Sequence, residues 1–218
     1  MGKVSFIVLL LGLVAALPGF AQPLPADVVT VGTVVGPAGS TIDVPVYIRD
    51  VSGTPLGIDQ PFGSRIQSYS ITVNYAPTAA VQSITFTRAG ITAGLTPAFE
   101  SSPASPGTIS LIDTFQESTD LVPFVSNAPA PGNQIGVLHI TLAPGAPLGA
   151  LTLTLDPTLT VLSNQAGTTQ ENTTLANLVL VNGVVTVTAA QTVPALSAWT
   201  LAAMAIALTF AGMLLLRR

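Results

Sequence analysis

The 218-residue chain has no cysteine, one histidine, one tryptophan and one lysine. Without thiols there is no zinc–thiolate site and no cysteine nucleophile, and a single imidazole does not make a histidine-based metal site. Charge is scarce at 7% of residues, and it is lopsided. Across 22–192 three arginines (Arg49, Arg65, Arg88) stand against all ten acidic residues, a net charge of −7. That sign argues against a nucleic-acid partner, whose phosphates demand clustered Lys and Arg, and against polybasic attachment to anionic lipid. No stretch before Val193 keeps a 3.6-residue apolar period. Crossover helices and the parallel sheets they serve are therefore not expected.

What is present begins with an export pattern. Lys3 supplies a positive start, 4–17 an apolar run, and Gly19-Phe20-Ala21 a small-residue cleavage site. The run is shorter than the roughly 20 residues of a spanning helix. The expectation is a signal peptide over 1–21, cut after Ala21, with Gln22 as the new first residue. The remaining 22–192, about 170 residues, is long enough to bury a core without disulfides.

That middle region reads as short strands between Gly, Pro, Ser and Asn clusters. In "TIDVPVYIR" Ile42, Val44, Val46 and Ile48 share a face, and in "YSITVNY" Tyr69, Ile71, Val73 and Tyr75 do. Ile84 and Phe86, then Leu138, Ile140 and Leu142, then Leu151, Leu153 and Leu155 repeat the alternation, each set opposed by small polar residues. Asn182-Gly183 between two apolar runs suits a tight turn, either a last hairpin or a bulge in the last strand. The Pro-rich stretches 102–107 and 128–132 are expected as surface loops. The fold class is all-β, a two-sheet sandwich.

The succession "VGTVVGPAGSTIDVPVYIRDVSG", "IQSYSITVNYAP", "IGVLHITLAPGAPLGALTLTL" and "LVNGVVTV" resembles the cohesin and cohesin-like modules of bacterial surface proteins, over roughly 28–188. The resemblance implies a jelly-roll sandwich like that of carbohydrate-binding modules, and a noncatalytic binding role. The chain departs from the pattern at Ala76, where the family usually has aspartate, and in an added loop over 50–65.

The chain closes on "VPALSAWTLAAMAIALTFAGMLLLRR". As a helix, 196–216 would be about 31 Å long, close to the hydrocarbon thickness of a bilayer. Trp199 suits the outer interface, and Arg217-Arg218 obey the positive-inside bias. A plain stop-transfer anchor opened by Pro194 would account for the helix and the arginines. The segment also resembles the sorting signals read by bacterial exosortase-type enzymes, of the class Ile-Pro-Thr-Leu-Ser-x-Trp. Val193, Pro194, Leu196, Ser197 and Trp199 carry that likeness, with Ala195 in place of threonine. It implies a membrane-embedded processing enzyme as partner, a temporary transmembrane helix, and delivery to the cell surface or extracellular matrix of a Gram-negative-type bacterium.

Signs of catalysis are thin. His139 alternates away from Leu138 and Ile140, and no Gly-x-Ser-x-Gly elbow is present. Gly36 to Thr41 lacks the lysine of a phosphate loop and reads as a turn. Asp113, Glu117 and Asp120 lie close together and could offer carboxylates to calcium or to glycoside hydrolysis, but they fit no calcium-loop pattern and read as solvated charges. Asn172-Thr173-Thr174 matches a glycosylation sequon and reads as an exposed loop. Phe62, Phe86, Phe99, Phe115, Phe124 and the three tyrosines are expected in the core. The sequence thus points to a protein with no catalytic, cofactor-binding or metal residues that binds a surface protein or polysaccharide. The alternatives are a secreted polysaccharide-active enzyme and a self-assembling surface subunit.

Overall fold

The computed structural model describes residues 24–190. The expected leader at 1–21, its cleavage residue Ala21, and the tail at 193–218 with its candidate span lie outside the described residues. Among the described residues no helix is long and apolar enough to cross a membrane.

The strands follow the period-two pattern. In chain order they are β1 (Asp27–Val31), β2 (Val34–Pro37), β3 (Thr41–Arg49), β4 (Ser68–Ala76), β5 (Val81–Arg88), β6 (Phe99–Ser101) and β7 (Ala104–Ser105). The second half adds β8 (Thr108–Thr114), β9 (Asn133–Leu142), β10 (Gly149–Leu155), β11 (Val161–Ser163), β12 (Gln170–Glu171), β13 (Leu178–Val181) and β14 (Gly183–Thr188). One sheet runs β13-β1-β3-β9-β5. In the other, β12-β11-β4-β10-β14-β2, the strands β10 and β11 follow one another along one side of β4, and β8 covers its other side with β6 and β7 beyond. Pairing is antiparallel except for β1 with β13 and β2 with β14, the two parallel pairs that the sequence pattern did not announce.

The alternating residues meet between the sheets. Val44, Val46, Ile48, Ile71, Val73, Leu138, Ile140, Leu142, Leu151 and Leu153 are fully buried, and Ile42 and Phe86 pack against them. Each such side chain contributes about 1.5–3 kcal/mol through burial. Phe115, Phe124, Tyr69 and Tyr75 join this core. Phe62 and Phe99 do not, at 68% and 55% exposed, and Tyr47 is half-buried on the outward face of β3. Phe62 sits at the tip of the added loop and Phe99 on the outermost short strand, where no second layer covers either ring.

Asn182-Gly183 forms no hairpin. β13 belongs to one sheet and β14 to the other, and the chain bends between them; β1 and β2 do the same at Gly32. The two bends touch, since a Cβ on Gly183 would overlap the Gly32 carbonyl oxygen. Asn182 fixes its bend by accepting the Leu155 amide at Oδ1, 2.9 Å away. Pro45 is tolerated in the central strand β3 for the same reason. Its carbonyl accepts from Gly32 N at 2.8 Å, so its own nitrogen faces the side from which β1 is departing, and only the reciprocal bond to Gly32 at the end of that ladder is forgone. The stretch 102–107 is also not wholly loop, since Ala104–Ser105 pairs with β8.

Candidate binding surface

β13 is the edge strand of its sheet, and its outward residues are apolar. Leu178 points into the core, while Val179 and Val181 are 47% and 43% exposed. The parallel register sets Val179 beside Val28 and Val181 beside Thr30, because Val29 and Val31 of β1 take the inward positions. Across β1, Arg49 stands opposite Val28. Its Nε donates to the Ala128 carbonyl at 2.9 Å, which ties the Pro-rich loop 128–132 over the end of the sheet. Ala130 and Pro131 from that loop wall a cleft of about 540 Å³ whose floor is Val28, Thr30, Val179 and Val181. It is an apolar trough with a single cation on its wall, beside a strand that has no second pairing partner among the described residues.

Beyond the cleft this outer face carries half-buried Tyr47, Pro45 and Val137 and then a polar patch. Asp43 and His139 are opposite one another on β3 and β9 and their side chains are hydrogen-bonded at 2.7 Å, both substantially exposed. Thr41 and Thr141 share a hydroxyl bond of 2.9 Å one ladder step away. His139 faces solvent as its alternation requires, with no serine among its hydrogen-bond partners.

The outer face of the other sheet carries hydroxyls bonded in cross-strand pairs, Ser68 with Thr114 at 2.8 Å and Thr72 with Ser110 at 2.9 Å. A second, smaller cleft of about 330 Å³ opens between β5 and β7, and its walls, including Tyr75, Ile84 and Ser105, carry no formal charge. Asp156 caps the turn after β10; backbone amides of Thr158 and Leu159 hold its carboxyl below the usual range.

The three acids considered together from the sequence do not converge. Asp113 points inward and accepts from the Tyr69 hydroxyl, Glu117 accepts from Gly63 N at 2.8 Å, and Asp120 accepts from Thr96 N at 3.3 Å. Each is committed to its own segment, and among the described residues no three His, Cys, Asp or Glu side chains are grouped to hold a metal ion. Asn172 is likewise a turn-former, accepting from Leu175 N at 2.9 Å.

The sequence reading missed a different set of acids. Asp27, Asp50 and Glu171 are fully buried. The first was legible, since "DVVTV" puts Asp27 in phase with Val29 and Val31; no pattern marks Glu171. Burial, then contact with Glu171, pushes Asp27 up to about 9, and burial likewise raises Asp50 and Glu171.

No family model and no curated protein matches the chain. Solved structures do. The third cohesin ScaC of Acetivibrio cellulolyticus, solved in complex with the ScaB dockerin, aligns over 75% of this chain and 99% of its own, with a TM-score of 0.54 and 19% identity. The domain has a cohesin-like fold. Coh-OlpA of Clostridium thermocellum, solved with Doc918, aligns over the same 75% and over 99% of its own chain, with a TM-score of 0.54 and 12% identity. The cohesin CaCohA2 of Clostridium acetobutylicum covers 75% of this chain and 92% of its own, with a TM-score of 0.51 and 19% identity. Within this cohesin-like domain, the added loop 50–65 fills the connection between β3 and β4, and Ala76 ends β4 opposite Thr152.

Proposed function

We propose that the chain is an exported, noncatalytic surface or matrix protein whose cohesin-like sandwich captures a protein partner at the cleft beside β13. The observation that carries this reading is the apolar floor of Val28, Val179 and Val181 at a strand edge left unpaired among the described residues. The cohesins it resembles were solved with dockerins, which are proteins, and this supports a protein partner. Polysaccharide fits the cleft less well, because no aromatic side chain is among its lining residues and only Tyr47, opposite Thr30, stands beside it. The dispersal of Asp113, Glu117 and Asp120 removes the acids on which a hydrolase reading rested. An open edge also suits pairing with a second copy, the self-assembling alternative.

The terminal segments supply the route. Residues 1–21 fit a cleaved export signal, and Val193, Pro194, Ala195, Leu196, Ser197, Trp199, Arg217 and Arg218 fit an exosortase-type sorting signal. On this reading a membrane-embedded enzyme removes the helix and releases the domain to the surface of a Gram-negative-type envelope.

The test is affinity capture from the host's own envelope and secreted fraction, comparing the wild-type chain with the Val179→Asp/Val181→Asp double variant. A defined protein retained by the first and lost by the second supports the reading. Equal retention removes the cleft as the binding surface.

A further inference from the structure

The buried acids at the base of the added loop form a joint between three segments. Asp27 opens β1, Glu171 lies in β12, and the loop 50–65 passes between them. Asp27 Oδ1 accepts from Val51 N at 2.8 Å, and Glu171 Oε1 accepts from Leu56 N at 2.8 Å. The Thr54 hydroxyl braces the intervening turn through the Leu56 and Val51 carbonyls. Each carboxyl thus has one oxygen held by the loop's backbone. The other oxygens, Asp27 Oδ2 and Glu171 Oε2, are buried and have no donor. Yet the two side chains lie within hydrogen-bonding contact of one another.

Two ionised carboxylates cannot rest in contact in a site closed to water, because both desolvation and like-charge repulsion oppose it. One proton between them converts two orphan acceptors into a donor and an acceptor. We propose that Asp27 and Glu171 share a single proton in the folded protein, forming a latch that ties β1 and β12 to the 50–65 loop and opens when alkali removes the proton.

The charged groups around the pair favour this state. Asp50 faces both carboxyls and opposes their ionisation. Asp50 is itself held by Ile58 N at 2.9 Å, and behind it stand Asp59, which opposes its charge, and Arg65, which supports it. Burial is the largest cause raising both members of the pair. The sign follows from linkage. Asp27 rises from 3.8 to about 9 on folding, so its contribution is complete below the unfolded value and is lost as pH climbs through the folded one.

The experiment is urea unfolding of the full-length chain in mild detergent from pH 6 to 10, for the wild type, Asp27→Asn and Glu171→Gln, each with calcium or with a chelator. The wild-type folding constant should fall by up to about tenfold per pH unit from pH 6 to about 9 and level off above that value. Either amide variant supplies the shared hydrogen without titrating, so both should fold at pH 7 and show a flatter profile. Infrared absorption of a protonated carboxyl at pH 7.5 should be present in the wild type and diminished in both variants. A wild-type slope retained in the amide variants would overturn the proposal, as would failure of both to fold or absence of the infrared band. Calcium that restores wild-type stability at pH 9 but not that of Asp27→Asn would overturn it too, by making the pair a cation site.

Discussion

The Tyr69 hydroxyl donates to Asp113 Oδ2 across the β4–β8 ladder, where the two residues are register partners pointing into the core. In β8 the inward positions run Ile109, Leu111, Asp113, so an acid occupies the third apolar place and Tyr69 supplies its donor. Burial pushes Asp113 up to about 6, against the lowering effect of that bond, while Arg88 and Glu100 act in opposite senses nearby. Its folded value exceeds the unfolded 3.8, so this contribution declines as pH rises between 3.8 and about 6. Tyr69→Phe should cost about 1–3 kcal/mol at pH 8, where the carboxylate loses its donor, and less at pH 5, where the carboxyl is largely protonated. Urea unfolding at the two pH values checks this, and equal costs would contradict it.

The contact of the two sheet-switching bends makes Gly183 the least replaceable backbone position at that end of the sandwich. Gly183→Ala places a methyl group against the Gly32 carbonyl and the Val31 side chain. The expected loss is about 1–3 kcal/mol, the usual range for overpacking. Gly145→Ala, with nothing within 4 Å of the added carbon, serves as the control and should change stability little. Thermal melts of the pair make the comparison.

The Asp43–His139 pair is exposed, and removing it should do little. His139→Ala should cost less than about 1 kcal/mol by urea unfolding, in keeping with solvent-exposed side-chain pairs. A larger loss would assign the histidine a structural role that its exposure does not suggest.

Processing of the tail makes a separate prediction. The mature protein isolated from its own host should end between Val193 and Trp199 by mass spectrometry of its C-terminal peptide. A terminus at Arg218 would instead mean a retained single-span anchor, and partners would be sought at the membrane face.

Much of the sandwich was legible because period-two burial is written in single residues. Val44, Val46 and Ile48, and Leu151 and Leu153, could face no other way. The sheet switch at Asn182-Gly183 was not legible, because the same dipeptide serves a hairpin or a bend and only the partner strands decide. Phe62 and Phe99 misled for a related reason: aromatic character promises burial only where a second layer exists to cover the ring. The cleft depends on the parallel pairing of β1 with β13, a contact between residues about 150 positions apart that no local pattern specifies. Asp27 went unread although its phase with Val29 and Val31 marks it. Its companion Glu171 has no such mark, because a two-residue strand has no period.

The proposed partner contact is on Val179 and Val181. A photo-crosslinking residue placed at position 179 of the full-length chain in its own host, with position 152 on the opposite sheet as control, tests it directly. The expected result is a cross-link to a distinct protein from 179 and none from 152. Cross-links from 152 alone would contradict it, and cross-links from 179 only to a second copy would replace partner capture with self-assembly.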